Sequence, residues 1–390
     1  MATFRWKFNW PGRTTPDRLR TFSFSRSLVL LHSDDWGRVG VRDKEGWEEL
    51  RANGVDLGGN LYDFYSLETR DDVLALRDVL ARHRDSTGRA ACMVMNFILA
   101  NLDFPRMRPR GYREILLKPL TEGLPGRWQR PGLVEAYRAG IADGVFYPGL
   151  HGLTHFCRQA VERELQESSG RAALLRTLWE AETPYIYWRM PWVGYEYCDS
   201  RNSRFLAAAK QEQLIGEGAK YFREFFGAAP VSACAPGYRA NQDTHRAWAN
   251  CGVRVAQNGS GPPRLPHLDS TGLLNLHRSI DFEPAHQDLP LEHYLQLAER
   301  AFASGAPLIV STHSVNFHSS LKDFRSATLK ALDQLLSALE ARYPDLRYVH
   351  DADLYEMVTR GCFTSPHGRV SVNVRQRETA RASSAIAGAN

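Results

Sequence analysis

The sequence predicts an α/β protein built on a mostly parallel sheet, either open or closed into a barrel. Two observations predict it: short apolar runs recur along the chain, and longer stretches with apolar residues at helical spacing lie between them. The runs are SLVLL at 27–31, AACMVMNFIL at 90–99, GVFYPGL at 144–150 and PVSACA at 230–235. VRVAQNG at 253–259, LLNLHRSI at 273–280, PLIVSTH at 307–313 and LRYVH at 346–350 follow. Asn96 is an unusual residue inside such a run. The helical stretches include 71–83, whose acidic start suits a helix N-terminus, and a long candidate over 199–226. Two more lie near 294–304 and 328–343, and another helix is expected to begin near Asp243.

The segment 104–132 is rich in Pro, Gly and Arg, without a clear period. It reads as a long ordered loop or insertion near the site. The expected organisation is an extension over 1–26, a barrel or sheet domain over 27–362, and a tail over 363–390. From about 375 the chain reads RQRETARASSAIAGAN, which has almost nothing to bury, so disorder is expected there.

Composition excludes several classes. With 390 residues and 43% apolar content the chain can bury a sizeable core. The net charge of +5 is modest, and no dense basic run with interleaved aromatics marks a nucleic-acid surface. The six cysteines include no CxxC pair, so they are expected as reduced thiols. No stretch approaches the roughly 18 apolar residues of a membrane span. The first twenty residues lack an uninterrupted apolar segment, so a cytoplasmic location is expected.

In parallel α/β architectures function gathers at the C-terminal ends of strands. The residues after the first run are His32, Ser33, Asp34 and Asp35. After the third comes HGLTH, with His151 and His155, and after the fourth comes APGYRANQ. The PLIVSTH run ends at His313, with Asn316 and His318 just beyond. On a helical turn an H-x3-H pair shares one face, so both imidazoles can reach one ion. A surface pair of histidines has the same spacing. A carboxylate from another strand end completes three protein ligands and leaves positions for water and substrate. Two adjacent aspartates then have two jobs: one binds the metal and the other acts as a general base. Without the histidines, Asp34–Asp35 reads as a helix cap or turn.

Tyr238, Arg239 and Asn241 follow the fourth run and are candidates for substrate contact, as are Asn96 and His318. Each has an ordinary alternative in loop or backbone hydrogen bonding. Trp188 and Trp192, in YIYWRMPWVGYEY, serve either sugar stacking or packing.

The order SDDWG, HGLTH, APGYRANQDT and LIVSTHS resembles the NodB-homology polysaccharide deacetylases, carbohydrate esterase family four, across roughly 27–360. The resemblance implies a distorted (β/α)7 barrel and a divalent metal, Zn2+ first. It implies Asp34 as base, with Asp35, His151 and His155 as metal ligands, and His313 as general acid. It implies hydrolytic removal of an N-acetyl or other small acyl group from an amino sugar, set by the expected location in cytoplasmic surface-glycan synthesis. Some relatives on this fold open other linear or cyclic amides, and a glycan-binding relic is a further alternative. The chain departs from the pattern where Trp36 follows the acid pair. Pro236 and Gly237 match the third motif, but Ala233, Cys234 and Ala235 stand where an arginine is expected. Arg239 is the sequence's candidate to replace it.

Overall fold

Seven parallel strands follow one another round a ring in the computed structural model, which describes residues 18–167, 169–201, 203–365 and 368–380. They are β1 Leu28–Trp36, β2 Met93–Phe97, β3 Phe146–Leu150, β4 Ser232–Cys234, β5 Val255–Ser260, β6 Leu274–Arg278 and β7 Leu308–His313. Each of the first seven apolar runs supplies one strand. The spatial order is β7, β1, β2, β3, β4, β5, β6.

The ring closes through a single bend. β6 pairs with β5, and after Ser279 the same segment continues as Ile280–Asp281, which pairs parallel with β7. Ser279 itself donates its N–H to the Ile309 carbonyl at 2.8 Å. The ring is uneven: β3 and β4 share only the pair Leu150 and Ala233. The expected distorted (β/α)7 barrel is therefore present. The eighth run forms only the two-residue strand Arg347–Tyr348, which flanks the lower end of β1 outside the ring.

Strand alternation sorts the core into two layers. Val29, Leu31, Met93, Met95, Leu308 and Val310 pack outward with helix residues such as Val73, Leu76, Leu332 and Leu335. Leu28, Leu30, Leu274, Leu276 and Ile309 pack with Leu354 and Met357 of the helix Asp351–Arg360, which plugs the lower end. Above that apolar floor the interior turns polar. Asn96 on β2 and Arg278 on β6 donate across the barrel to Asp34 on β1, and both also donate to the Gln257 side-chain oxygen on β5. Asn96 is thus an interior residue with a satisfied amide rather than an interruption of its strand.

Three expectations are corrected. The helix over 199–226 spans only Ala208–Phe226, because Cys198–Asp199 and Arg204–Phe205 form a small hairpin ahead of it. The segment 104–132 carries a short strand, Leu117–Pro119, paired with Ala100–Leu102. The tail is not disordered from 375: Val374–Ala380 is a strand that pairs residue by residue with Arg18–Phe24, within the expected N-terminal extension. The remaining expected tail, 381–390, and residues 1–17 lie outside the described residues.

That pairing leads to an expectation. Phe22 and Phe24 are buried in the lower core beside Val372. Ending the chain at 373 strips the ladder from their strand, at about 0.5–1.5 kcal/mol per net hydrogen bond. The melting temperature should fall by several degrees while turnover at 25 °C survives, because this strand lies below the barrel. An unchanged melting curve would show that the strand contributes nothing. Among the described residues, no helix is long and apolar enough to cross a membrane.

Candidate active site

Adjacent residues on a strand point in opposite directions, and β1 uses this at its upper end. Leu28 and Leu30 face the lower core, and Asp34 continues that inward series. Between Ser33 and Trp36 the pairing with β2 shifts by one residue. Such a bulge re-aims a side chain. Asp35 sits in it with φ 74, in the left-handed region that side chains rarely occupy. The two carboxylates therefore leave the same strand end in different directions and meet different partners.

Asp34 meets Arg278. Its Nη1 donates to Oδ2 at 2.6 Å and its Nη2 to Oδ1 at 2.7 Å. Asn96 adds a third donor at 2.7 Å. Burial alone pushes the Asp34 carboxyl up, but Arg278, His151 and His313 outweigh it and hold the group well below the usual carboxylate range. Asp34 is therefore ionised throughout the neutral range. The guanidinium that pairs with Asp34 thus comes from β6, not from the strand end at Ala233–Ala235. Arg239, the candidate replacement, instead lies over the Tyr195 ring, 5.9 Å from its centroid.

Asp35 meets two imidazoles. Its Oδ2 accepts from Arg38 at 3.2 Å. Its Oδ1 is buried and takes no hydrogen bond of good geometry, although His155 Nε2 lies at 3.2 Å and His151 Nε2 at 3.5 Å. Both histidines have their other nitrogen occupied: His151 Nδ1 by the Cys234 carbonyl at 3.0 Å, His155 Nδ1 by the Tyr185 hydroxyl at 2.6 Å. Two Nε2 atoms and one orphaned carboxylate oxygen thus converge, all within 4.8 Å of one another. This donor set fits a divalent cation of the zinc type, with outer partners that fix each ring. Burial pushes His151 down, but Asp34 and Asp35 outweigh it and raise it well above its ordinary value. A cation at this point replaces that proton. Burial, with Arg38 and His151 beside it, holds His155 well below its ordinary value despite Asp35. Asp34, His151 and Cys234 form a second group of ligand spacing. Burial and Asp34 push the Cys234 thiol up, so it is not a thiolate, and Arg278 already occupies Asp34.

The H-x3-H segment is not a helical turn, contrary to the sequence reading. It is a bend with Gly152 at φ 95 and His155 at φ 69. Glu196 holds it: its carboxylate accepts the N–H groups of Leu153 at 2.8 Å, Thr154 at 3.2 Å and His155 at 3.3 Å. A Cβ on Gly152 would stand 2.1 Å from Glu196 Oε2, so only glycine fits there. Burial lifts the Glu196 carboxyl to about 7 even against these donors. The sequence showed Glu196 only as one residue of an aromatic stretch.

His313 ends β7. Its Nδ1 pairs with Glu283 Oε1 at 2.6 Å, and Asn316 holds the other Glu283 oxygen at 2.5 Å. Burial pushes the imidazole down, but Glu283 outweighs it and raises the group to about 9. His313 is therefore cationic at neutral pH, with Nε2 left to the cleft. Asp34, Asp35, His151, His155 and His313 all line one cavity of about 260 Å³.

No protein-family model matches the sequence, and no curated protein matches it. Solved structures with a similar course of chain include the PuuE allantoinase, 13% identical, covering 86% of this chain and 92% of that one, with a TM-score of 0.45. The family 4 carbohydrate esterase from Streptomyces lividans, in complex with acetate, is 11% identical over 82% of this chain and 90% of that one, with a TM-score of 0.33. The peptidoglycan deacetylase PdaC from Bacillus subtilis is 9% identical over 86% and 93%, with a TM-score of 0.33.

The substrate-contact candidates separate. Tyr238 lines the cleft at φ 55 and accepts from Arg278 Nη1 at 2.9 Å. Its neighbour Gly237 has no room for a Cβ, which would meet the Tyr195 ring at 2.2 Å. Asn241 instead caps the helix Gln242–Asn250 through Thr244. His318 is buried, 3.3 Å from Glu68 and against the Tyr65 ring, so it fastens a loop. Asn96 supports Asp34 from within the barrel. Trp192 lies beside Arg171, whereas Trp188 lines the cleft and is 46% exposed.

Proposed function

We propose that this chain is a metal-dependent amide hydrolase that removes an N-acetyl or similar small acyl group from an amino sugar. One observation supports it above the others. A three-ligand cation set with an orphaned Asp35 oxygen sits beside an ionised carboxylate, Asp34, and a cationic imidazole, His313. Asp35, His151 and His155 would hold the ion, which supplies Lewis acidity to a carbonyl and lowers the pKa of a water. Asp34 takes the proton of the attacking water. His313 gives a proton to the departing nitrogen, which an amide needs and a reactive ester does not. Arg278 keeps Asp34 charged and aimed, and Glu283 keeps His313 protonated. The setting that fits this chemistry is a cytoplasmic precursor of surface glycan.

Metal analysis paired with acetate release tests the reading. Asp35→Ala, His151→Ala and His155→Ala should each lose most bound metal. Asp34→Asn should keep it, while turnover falls about 10²–10⁴-fold. Full metal occupancy in any alanine variant removes that residue from the ligand set. Hydrolysis of a simple linear or cyclic amide, with no acetate released from any amino sugar, would replace the sugar assignment.

A further inference from the structure

We infer that the site accepts a compact polyhydroxylated amide, either a free N-acylated sugar or the last residue of a chain, and excludes residues inside a polymer. This rests on the amide-hydrolase reading above.

The cleft has two chambers. The inner one, about 260 Å³, holds the carboxylates and histidines of the site. The outer one, about 370 Å³, is lined by Ser260, Asp281, Glu283, His286 and Gln287, among others. Tyr62, Trp188, Tyr238 and His313 line both and form the neck. The inner chamber lies below, and the outer one near the lower end of, the range of about 300–1,000 Å³ usual for ligand sites.

Trp188 roofs that neck. Its ring packs edge-on against Tyr62 at 4.8 Å on one wall and against His286 at 5.1 Å on the other. It therefore bridges two loops that an open groove would leave apart. The bridge is built in. Trp188 holds φ 68, a strained conformation for a bulky residue. The next residue, Arg189, grips the fully buried Asp63 with both its Nε and Nη2, the latter at 2.6 Å. Asp63 is in turn fixed by the N–H groups of Gly58 at 2.8 Å and Asn60 at 3.2 Å. An internal sugar residue must continue in two directions, and the roof blocks one of them. The outer chamber sets polar donors and acceptors against an aromatic wall, an arrangement that suits hydroxyl groups and a sugar face.

The test uses the metal-loaded full chain with three N-acetylhexosamines and a β-linked N-acetylglucosamine hexamer, free or blocked at both ends. Wild type should release acetate from a monosaccharide and at most one acetate per end of the free hexamer, with none from the blocked one. Trp188→Ala should lose at least 10-fold in kcat/KM on the monosaccharide and release several acetates per hexamer. Arg189→Ala should do the same more weakly, by freeing the latch without removing the ring. Wild type that deacetylates the blocked hexamer as fast as the monosaccharide overturns the inference. If no acetate appears, the hydrolase reading fails, and calorimetric binding to metal-loaded protein decides the pocket separately. Binding of a monosaccharide but not of the blocked hexamer supports the roofed pocket. Equal binding of both, or of neither, overturns it.

Discussion

Arg278→Met should leave a protein that still binds its metal but hydrolyses amides about 10²–10⁴-fold more slowly, the loss expected when a positioned base fails. It should also melt several degrees lower. Arg278 is fully buried and makes two charged hydrogen bonds to Asp34. Methionine fills a similar volume but leaves the carboxylate without its counter-charge. Removing one partner of a buried pair costs about 3–5 kcal/mol, most of it the penalty of the charge left behind. The sign with pH follows. Arg278 depresses the folded value of Asp34, so its stabilisation is present above the unfolded value of about 3.9 and is lost only as pH falls below it. In the variant, burial dominates and raises the carboxyl, so the acid limb of kcat/KM should move up toward neutrality. Asp34→Asn combined with Arg278→Met should destabilise less than the two singles together, because the unpaired charge disappears with its partner. An Arg278→Met protein with unaltered turnover and pH profile would reduce Arg278 to a strut.

Arg278 also marks the limit of what the sequence could show. It stands in LLNLHRSI, where the apolar run identified β6 correctly. Its partner lies 244 residues away on β1. Only closure of the barrel brings the two strands to opposite sides of one interior, and closure depends on the bend at Ser279. The acid pair, the HGLTH histidines and His313 were legible because each follows an apolar run directly. Glu196 and Glu283 were not, because they sit in loops whose course no period encodes. The same limit explains the tail. VRQRETA has too little apolar surface to order itself, but Arg18–Phe24 offers it a complete ladder. The H-x3-H spacing fits a helical turn as well as the observed bend. Gly152 and the carboxylate of Glu196 decide for the bend.

His313→Ala should abolish amide hydrolysis by roughly 10²-fold or more while retaining much of any aryl-acetate hydrolysis. The imidazole ends β7, lines both chambers, and owes its charge to Glu283. As a tetrahedral species collapses, an amide nitrogen must be protonated to leave, whereas a phenolate departs unaided. A histidine that only fastened its loop would slow both substrates alike and lower the melting temperature. The pH dependence gives a second reading of the same role. The folded value of about 9 lies above the ordinary 6.5, so the proton is held at neutral pH and lost as pH rises through about 9. The stability from the Glu283 pair is correspondingly complete below 6.5 and gone above 9. Amide turnover in the wild type should therefore decline above pH 9, and aryl-acetate turnover should not follow it. Glu283→Gln removes the charge that raises His313, so it should move the decline toward neutral pH without releasing metal. Equal losses on amide and aryl ester in His313→Ala, with metal retained, would exclude the acid role and leave His313 as a support for its loop.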